Sequence, residues 1–351
     1  MRLDIQEHVP LAPLTTFGVG GPARYFTSAG AAADVIDALD FAATRSLPVF
    51  VLGGGSNIVL ADRGFPGLVL KVATAGLSIE SSDGHAILRA GAGEEWDRVV
   101  SLAVERNLAG IECLSGIPGS AGGTPVQNVG AYGQEISETL VSVEVLDRET
   151  QTVRDLPRAE CGFSYRTSIF NSTLPDRYIV LAVRYALTPA GPAATRYPEI
   201  GRRFEGLDHP PTLAEVRSVV REARASKGML LTPGDADCRS AGSFFKNPVV
   251  DEDTFKALEA AASKTPPRYP APAGKVKTSA AWLIEQAGFP KGFSRGAAAI
   301  SRKHTLAIIN PGNATASDIV ALAREIRSKV EDRFGVKLAP EPTFVGFDEP
   351  F

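Results

Sequence analysis

The sequence has few cysteines, no long apolar run and no excess of charge of either sign. Its three cysteines, Cys113, Cys161 and Cys238, are widely spaced and odd in number. That pattern predicts reduced thiols in a cytoplasm and argues against a disulfide framework or a bound metal such as zinc. With 37 basic and 40 acidic residues, a net charge of −3 leaves no basic footprint for nucleic acid.

The sequence also predicts neither a targeting segment nor a membrane segment. No apolar run reaches about 18 residues, so we expect no membrane span. The opening residues, MRLDIQEHVP, lack the apolar core of a signal peptide. At 351 residues the chain is long for one core, which predicts two or three domains. The composition, 44% hydrophobic and 22% charged, is ordinary for a globular protein.

The most informative stretch runs from Cys113 to Gly133 and reads CLSGIPGSAGGTPVQNVGAYG. It holds six glycines and no charged residue. Glycine lets the backbone turn sharply and approach a ligand closely, and successive N–H groups in such turns form anion sites. The stretch therefore predicts a loop around a phosphate-bearing cofactor. A tight core crossing without a ligand is the alternative.

A second glycine loop, GGGSN at 53–57, directly follows the apolar segment VFVL at 49–52. It lacks the Gly-Lys-Ser/Thr ending of a nucleoside-triphosphate loop. Ser56 and Asn57 are candidates to hydrogen-bond a diphosphate or a ribose, and a hairpin turn is the alternative. Two glycine loops facing one another would suit a dinucleotide such as FAD. The glycines of LTTFGVGGPARYF at 14–26 are a weak dinucleotide signal, because Pro22 and an extended-looking segment follow them.

Apolar periodicity predicts alternating helices and strands, and hence a mixed fold. The predicted helices cover residues 31–45, 96–106, 212–226, 252–262, 278–288 and 316–334. The predicted strands cover residues 49–52, 58–60, 68–72, 86–90, 141–146, 152–156, 178–187, 297–300 and 306–309. Residues 188–211 contain five prolines and are predicted to be a linker with an exposed loop around Tyr197.

Three residues in the second half of the chain are candidates for chemistry. Arg166, beside an aromatic ring and hydroxyl groups, is suited to bind a carboxylate bidentately, or is an exposed loop arginine. Ser243, in SAGSFFKNP, is suited to donate a proton, or caps a helix or strand. Glu341 lies between two prolines that fix its backbone, or belongs to a simple edge-strand turn.

These motifs, taken in order, resemble those of the UDP-N-acetylenolpyruvoylglucosamine reductases, flavoenzymes of peptidoglycan precursor synthesis. The shared motifs are TTFGVGGPARYF, GGGSN, SGIPGSAGGTPVQNVGAYG, FSYRTSIF, GSFFKNP and the Pro-Glu segment near the end. The Tyr197 segment is similar to the longer, type I form of the family. One departure is GVGGP, where the family usually has an arginine before the valine.

The resemblance implies an α+β fold. It consists of an FAD-binding fold of the vanillyl-alcohol-oxidase (PCMH) type in two subdomains, plus an α/β substrate-binding domain. The implied boundaries are 1–72 for the first FAD-binding subdomain, with 336–351 packing back on it, 73–211 for the second, and 212–335 for the substrate domain.

The resemblance also implies the site. The catalytic residues would be Arg166, Ser243 and Glu341, and the substrate contacts Tyr197, Lys227, Asn247 and His304. The implied FAD contacts are Gly53, Gly54, Gly55, Ser56, Asn57, Ser115, Gly116, Ile117, Pro118, Gly119, Ser120, Gly122, Asn128, Gly130, Ala131, Tyr132 and Gly133.

The implied activity is NADPH-dependent reduction of a UDP-sugar enolpyruvyl group, with non-covalent FAD, by a cytoplasmic monomer. Its product would serve cell wall biogenesis, and through it cell shape, division and the cell cycle. Two other classes stay open. One is an oxidase of the same fold, perhaps with covalent flavin, although GGGSN carries no His or Cys for such a bond. The other is a nucleotide-binding module without catalysis, which the joint presence of Arg166, Ser243 and Glu341 disfavours.

Overall fold

A computed structural model describes residues 3–349 and Phe351. Their contacts separate into two compact units. Unit 1 comprises the described residues up to Val9 together with Ala23–Gly55 and Pro66–Ala225. Unit 2 comprises Pro10–Pro22, Ser56–Phe65 and the described residues from Ser226 onward. These units and the three predicted domains divide the chain differently, and the domain boundaries stay a prediction.

Helices and strands are interspersed along the described chain, with runs of consecutive strands between the first and second α-helices and between the second and third. The helices are α1 (Ala32–Ala43), α2 (Trp96–Glu105), α3 (Pro198–Gly201), α4 (Leu213–Ser226), α5 (Glu252–Ala261), α6 (Ala280–Gln286) and α7 (Ala316–Phe334). The strands are β1 (Gln6–Pro10), β2 (Pro22–Ala29), β3 (Val49–Leu52), β4 (Ile58–Leu60), β5 (Phe65–Val72), β6 (Leu77–Ser82), β7 (His85–Gly91), β8 (Leu108–Ala109), β9 (Gly130–Ala131), β10 (Gln134–Glu135), β11 (Leu140–Asp147), β12 (Thr152–Pro157), β13 (Tyr178–Pro189), β14 (Val249–Asp251), β15 (Lys275–Lys277), β16 (Ser294–Arg295), β17 (Ala298–Ile300), β18 (Ile308–Ile309) and β19 (Thr343–Val345).

Two sheets organise unit 1. The larger has the strand order β12-β11-β13-β7-β6, with β8 also paired to β13. β13 is central and most of its residues are buried, which explains its nearly continuous apolar sequence. The other sheet has the order β1-β2-β5-β3, in which β3 runs parallel to β5. The end of β3 leads directly into Gly53, so this sheet fixes the start of the first glycine loop.

The core of unit 1 reaches the second glycine loop. The rings of Trp96 on α2 and Tyr185 on β13 are fully buried, with centroids 5.6 Å apart. The Tyr185 hydroxyl lies 2.7 Å from Oγ1 of Thr124, inside the glycine-rich stretch. Burying a hydroxyl without a partner is costly, so this hydrogen bond fixes where the loop crosses the core.

Unit 2 is built around α7. Thr315 caps its start, with Oγ1 accepting the Asp318 N–H at 3.1 Å, and Gly335 ends it at φ 66°. A left-handed residue after a helix favours glycine, which explains Gly335. Within the same unit β19 pairs parallel with β4, Thr343 opposite Ile58. This pairing brings the end of the chain beside the segment that follows the first glycine loop.

Most predicted elements are confirmed to within a few residues, whereas several strands were not predicted, among them β1, β6, β8, β14, β15, β16 and β19. β6 was not predicted, because its sequence LSIESS is largely polar and exposed. The predicted linker 188–211 contains α3, which Pro198 begins at its first position, where a proline needs no N–H partner. The exposed position of Tyr197 is confirmed, with 40% of its surface accessible.

The cysteine thiols are free and buried, as the sequence predicted for reduced cysteines. Burial raises the pKa of Cys113 to about 12 and that of Cys161 to about 11. Both thiols are therefore protonated at neutral pH and are poor nucleophiles. Among the described residues, no helix combines the length and apolar character that a membrane crossing requires.

Candidate flavin and substrate site

The two glycine loops contact each other within unit 1. A Cβ placed on Gly54 would lie 2.5 Å from the Gly119 Cα and 2.7 Å from the Ser120 nitrogen. A Cβ on Gly53 would lie 3.0 Å from the Ser120 hydroxyl. Only glycine permits this approach of two backbones. The structure thus brings together two motifs that are about 60 residues apart in the sequence.

The contact between the loops leaves several polar groups without a hydrogen-bond partner among the described residues. Within the described residues, the N–H groups of Gly53, Gly54, Gly55 and Gly119 donate no hydrogen bond to protein atoms. The Ser120 hydroxyl is buried and also lacks a hydrogen-bond partner in this part of the chain. Several N–H groups and a hydroxyl in one place suit the oxygens of a diphosphate. The residues present therefore fit the cofactor predicted from the sequence.

The start of α2 holds the second loop in place. The Trp96 indole N–H donates to the Leu114 carbonyl at 3.1 Å, and the Trp96 backbone N–H donates to the Gly119 carbonyl at 3.0 Å. The Asp97 carboxylate accepts the Gly116 N–H at 2.6 Å. These bonds fix both ends of residues 114–119. Helix α2 was predicted from the sequence, but no role at the site was predicted for it.

Arg166 lies at the far end of the same loop. Its guanidinium donates to the carbonyls of Asn128 at 3.3 Å and Gly130 at 2.5 Å. Its own φ is 54°, a left-handed conformation that costs energy for a residue with a Cβ. Asn128 and Tyr132 share this conformation, at φ 45° and 48°. Strained backbone of this kind is concentrated at functional sites, and here three predicted site residues share it.

Asn128 has its side chain fully occupied by protein. Its amide nitrogen donates to Glu135 at 2.8 Å and to the Ser164 carbonyl at 3.1 Å. Its amide oxygen accepts the Ser137 N–H at 3.2 Å. Since both amide hydrogens are used, a cofactor contact by Asn128 would come from its backbone. Its side chain joins the glycine-rich stretch to the segment that carries Arg166.

The Tyr197 segment is docked on the end of the glycine-rich stretch. The rings of Tyr132 and Tyr197 meet edge to face, 5.6 Å apart. A few residues earlier, the Ala194 N–H donates to the buried carboxylate of Glu112 at 2.8 Å. Burial raises the pKa of Tyr132 to about 12, so its hydroxyl is neutral at physiological pH. The contact thus relates a predicted substrate residue to a predicted cofactor residue within unit 1.

In unit 2 the GSFF and Pro-Glu motifs are paired through their backbones. The Glu341 N–H donates to the Phe244 carbonyl at 2.9 Å, and the Lys246 N–H donates to the Ala339 carbonyl at 2.9 Å. Phe245 and Pro340 form the bridge between these two bonds. Ser243 directly precedes Phe244, which is fully buried, while Ser243 itself is half-buried. Two motifs almost one hundred residues apart therefore form one short ladder.

Residues near the start of the chain hold this ladder. The Asn57 amide nitrogen donates to the Glu341 carbonyl at 3.2 Å, and the Thr343 N–H donates to the Asn57 carbonyl at 3.0 Å. The Thr16 hydroxyl donates to the Ser240 carbonyl at 2.6 Å. Asn57, predicted as a cofactor contact, thus also positions the Glu341 backbone. Thr16 was missed as a positioning residue, although it lies in a motif that the sequence analysis singled out.

In unit 2 the segments that carry Lys227 and His304 both contact Asp237. Gly228 follows Lys227, and a Cβ on Gly228 would lie 3.1 Å from the Asp237 carbonyl oxygen. The Asp237 carboxylate accepts the Arg302 N–H at 2.9 Å, which fixes the turn that carries His304. Asp237 is only 1% exposed and was not predicted. It brings the segments of Lys227 and His304 to the same place.

Asn247 has a structural contact of its own. Its amide oxygen accepts the Ala280 N–H at 3.0 Å, at the beginning of α6. The amide group therefore positions α6 as well as serving as a candidate substrate contact. Among the residues that the structure describes, no group of three or more His, Cys, Asp or Glu side chains could hold a metal ion.

The fold and the two contacting glycine loops define an FAD-binding oxidoreductase. Residues 23–156, which include both glycine loops, match the FAD binding domain family model. Residues 233–345 match the family model described as the UDP-N-acetylenolpyruvoylglucosamine reductase C-terminal domain. The chain belongs to the UDP-N-acetylenolpyruvoylglucosamine reductase family.

Full-length relatives support this assignment. The UDP-N-acetylenolpyruvoylglucosamine reductase of Thermobifida fusca is 48% identical, with 99% of each chain covered. That of Streptomyces avermitilis is also 48% identical, with 99% of this chain and 97% of the relative covered. The crystal structure of the Thermus caldophilus reductase matches with a TM-score of 0.67 at 28% identity, over 98% of this chain and 99% of that one. The implied α+β flavoprotein fold is thereby confirmed.

Proposed function

We propose that this chain reduces the enolpyruvyl group of UDP-N-acetylenolpyruvoylglucosamine to give UDP-N-acetylmuramate, with NADPH as the electron source. The observation that carries the proposal is the ladder in unit 2, where the Glu341 N–H donates to the carbonyl of Phe244. It brings the backbone segments that carry Ser243 and Glu341 side by side, and both residues are half-buried. Proton delivery and carboxylate stabilisation both require groups such as the hydroxyl and carboxyl of these residues.

The FAD would be held without a covalent bond. Its contacts are proposed to be the glycine-loop residues 53–57 and the predicted residues between Ser115 and Gly133. When bound, the cofactor supplies the hydride for the terminal carbon of the enolpyruvyl group. The chain's own residues must then stabilise negative charge on the substrate and deliver one proton.

Ser243 is proposed to deliver that proton to the carbon that bears the substrate carboxylate. A serine hydroxyl is a poor acid in water, so its competence depends on position. Phe244 and Phe245 are buried, with ring centroids 5.2 Å apart. They give the backbone at Ser243 a rigid support.

Arg166 and Glu341 are proposed to stabilise the charge that develops on the substrate carboxylate. A guanidinium is suited to a carboxylate because it donates two parallel hydrogen bonds. A protonated Glu341 would donate a further hydrogen bond to the same group. Donors fixed in advance stabilise a transition state without reorganisation, and removing one typically costs about 10²–10³ in rate.

Tyr197, Lys227, Asn247 and His304 are proposed to bind the UDP part of the substrate. Lys227 is the best residue to test, because Asn247 also supports α6. Lys227→Ala is expected to weaken substrate binding by about tenfold to hundredfold, the usual cost of one hydrogen bond to a charged group. Isothermal titration with the UDP-sugar substrate measures this, and FAD content is expected to be unchanged.

A matched control for Lys227 is Lys256→Ala. Lys256 lies in the same unit, its side chain is 70% exposed, and it forms a surface pair with Asp253. Such pairs contribute little, so neither substrate affinity nor FAD content should change. An unaltered substrate dissociation constant for Lys227→Ala would reject its proposed role.

The finer biological assignments follow from the proposed reaction. We place the enzyme in the cytoplasm, where it acts as a monomer in peptidoglycan synthesis, and so contributes to cell wall biogenesis, cell shape, division and the cell cycle. The proposed domains are 1–72 with 336–351 and 73–211 for FAD, and 212–335 for substrate. These boundaries are proposed from the motifs.

A simple experiment distinguishes this function from an oxidase of the same fold. The purified protein is expected to be yellow, to release its flavin into the supernatant on acid precipitation, and to be bleached by NADPH under nitrogen. Colour that stays in the acid pellet, or bleaching by an alcohol and not by NADPH, would favour the oxidase. A colourless preparation that takes up no added FAD would favour a binding module without catalysis.

A further inference from the structure

The Asp97 carboxylate on α2 accepts a hydrogen bond from the second glycine loop and is itself bound by arginines of α4. Asp97 lies in the first turn of α2, and one of its oxygens accepts the Gly116 N–H at 2.6 Å. Arg217 donates to both carboxylate oxygens, at 2.7 and 2.9 Å, and Arg221 donates at 2.5 Å. A bidentate guanidinium fixes the orientation of a carboxylate as well as its charge. Asp97 thus has little freedom to turn away from Gly116.

Helix α4 also contacts the other side of Gly116 directly. Arg217, Arg221 and Arg224 are spaced four and three residues apart, so they share one face of α4. Arg224 is 7% exposed, and its Nε–H donates to the Gly116 carbonyl at 3.0 Å. The peptide groups on both sides of Gly116 are therefore held by charged side chains. Gly116 also adopts a left-handed φ of 71°.

The charge states of this cluster are defined at neutral pH. Burial acts to raise the pKa of Asp97. The hydrogen bonds from Arg217 and Gly116 and the charges of Arg217 and Arg221 outweigh it, and hold the pKa below its usual range. Burial lowers the pKa of Arg224 to about 10, although the charge of Asp97 acts to raise it. Asp97 is thus ionised and Arg224 protonated between about pH 5 and 8.

The Asp97 cluster is reached by solvent from outside. Asp97 is 21% exposed and lines, with Arg217, a surface cavity of about 530 Å³. The other charged residues that line the cavity are Glu95, Arg98 and Glu105. None of the predicted cofactor or substrate residues lines it. The Asp97 cluster therefore faces the surface cavity on one side and contacts the glycine loop on the other.

We propose that Asp97 is a positioning residue for the flavin site, which fixes the Gly116 peptide so that residues 115–120 keep the conformation that binds FAD. The proposal rests on the assignment of these residues to FAD. Asp97 does not itself touch the cofactor in this account. It acts through the loop, with Arg217 and Arg221 restricting its rotation.

The test compares two carboxylate substitutions in unit 1. Asp97→Asn removes the charge but keeps the size. Asp147→Asn is the matched control, because Asp147 also accepts from one arginine, Arg177, through Nε and Nη2 at 3.3 and 3.0 Å. Asp147 lies at the end of β11, outside both glycine loops. The measured quantities are the FAD dissociation constant, by flavin fluorescence on dilution of the holoenzyme, and the visible circular dichroism of bound flavin.

We expect Asp97→Asn to raise the FAD dissociation constant by about tenfold to hundredfold and to change the flavin dichroism. Asp147→Asn should leave the FAD dissociation constant and the flavin dichroism unchanged, even if its melting temperature falls as much as that of Asp97→Asn. Unchanged FAD affinity in Asp97→Asn would overturn the proposal, and so would an equal loss in the control. If Asp97→Asn does not fold, Arg217→Gln is tested instead. We expect it to lose less FAD affinity than Asp97→Asn, and an unchanged FAD affinity would again overturn the proposal.

The effect of pH gives a second check. A carboxylate with a lowered pKa contributes at all pH values above its unfolded pKa, and loses its contribution only as pH falls through the folded value. The ratio of variant to wild-type dissociation constants should therefore be constant from about pH 5.5 to 8. A ratio that changes in this range would mean that another group is responsible. A wild-type protein without flavin would instead refute the cofactor site itself.

Discussion

We expect a Ser243→Ala variant to keep its FAD and to be bleached by NADPH, but to be re-oxidised by substrate about 10²–10⁴-fold more slowly than the wild type. That is the usual contribution of a positioned general acid. It corresponds to roughly 3–5 kcal/mol of barrier at about 1.4 kcal/mol per decade. Reduction by NADPH delivers no proton to the enolpyruvyl carbon, whereas product formation does. The two half-reactions, followed separately by stopped-flow absorbance, therefore respond differently.

The control for Ser243 is another hydroxyl in the same segment. Ser240 is buried, and its hydroxyl accepts the Gly242 N–H at 3.2 Å. Ser240→Ala perturbs the same loop without removing the proposed acid, so its second half-reaction should stay within about threefold of wild type. Equal slowing in both variants would mean that loop packing against Phe244 is responsible. No slowing in Ser243→Ala would mean that water or another residue supplies the proton.

A Gly54→Val variant is expected to lose its flavin. The Cβ alone would lie 2.5 Å from the Gly119 Cα, which is backbone that a rotamer change cannot move aside. The loops must separate, and the N–H groups of Gly53–Gly55 and Gly119 would then no longer converge on one diphosphate. Gly54→Ala should be nearly as damaging, because the overlap begins at Cβ. FAD content per chain after purification measures the effect.

Gly30 provides a control glycine in the same unit. A Cβ there would lie 3.7 Å from the Asp34 carboxylate, an ordinary contact, and its φ is not left-handed. Gly30→Ala should therefore retain full flavin. If Gly54→Val kept its flavin absorbance, the placement of the diphosphate between the two loops would be wrong. A flavin-free melting temperature near that of flavin-free wild type would show that the loss is local.

The local elements of the fold were predictable because their signals are local. The apolar stripe of α7 and its capping residues, Thr315 and Gly335, can be recognised from one continuous segment of sequence. β13 was predictable because a strand buried between two neighbours is apolar throughout. β6 was not, since a polar strand at a sheet edge has no such signal, and its pairing with β7 defines it.

The candidate site was predictable in parts and for different reasons. The glycine loops could be found from composition, because close backbone approach requires glycine. The roles of Ser243 and Glu341 came from the resemblance, since nothing in either segment alone indicates the other. Asp97 was missed because its partners lie far along the chain. The spacing of Arg217, Arg221 and Arg224 on one helix face was the available signal, and it needed an acidic partner to be informative.

A single-turnover experiment decides whether this chain uses FAD to reduce an enolpyruvyl group. Wild-type holoenzyme is reduced with one equivalent of NADPH under nitrogen and mixed with UDP-N-acetylenolpyruvoylglucosamine in a stopped-flow spectrometer. We expect flavin absorbance to return at a rate that depends on substrate concentration. Mass spectrometry should then show one equivalent of substrate converted to a product with two more hydrogen atoms. Flavin that stays reduced until oxygen is admitted, with the substrate recovered unchanged, would contradict the proposed function.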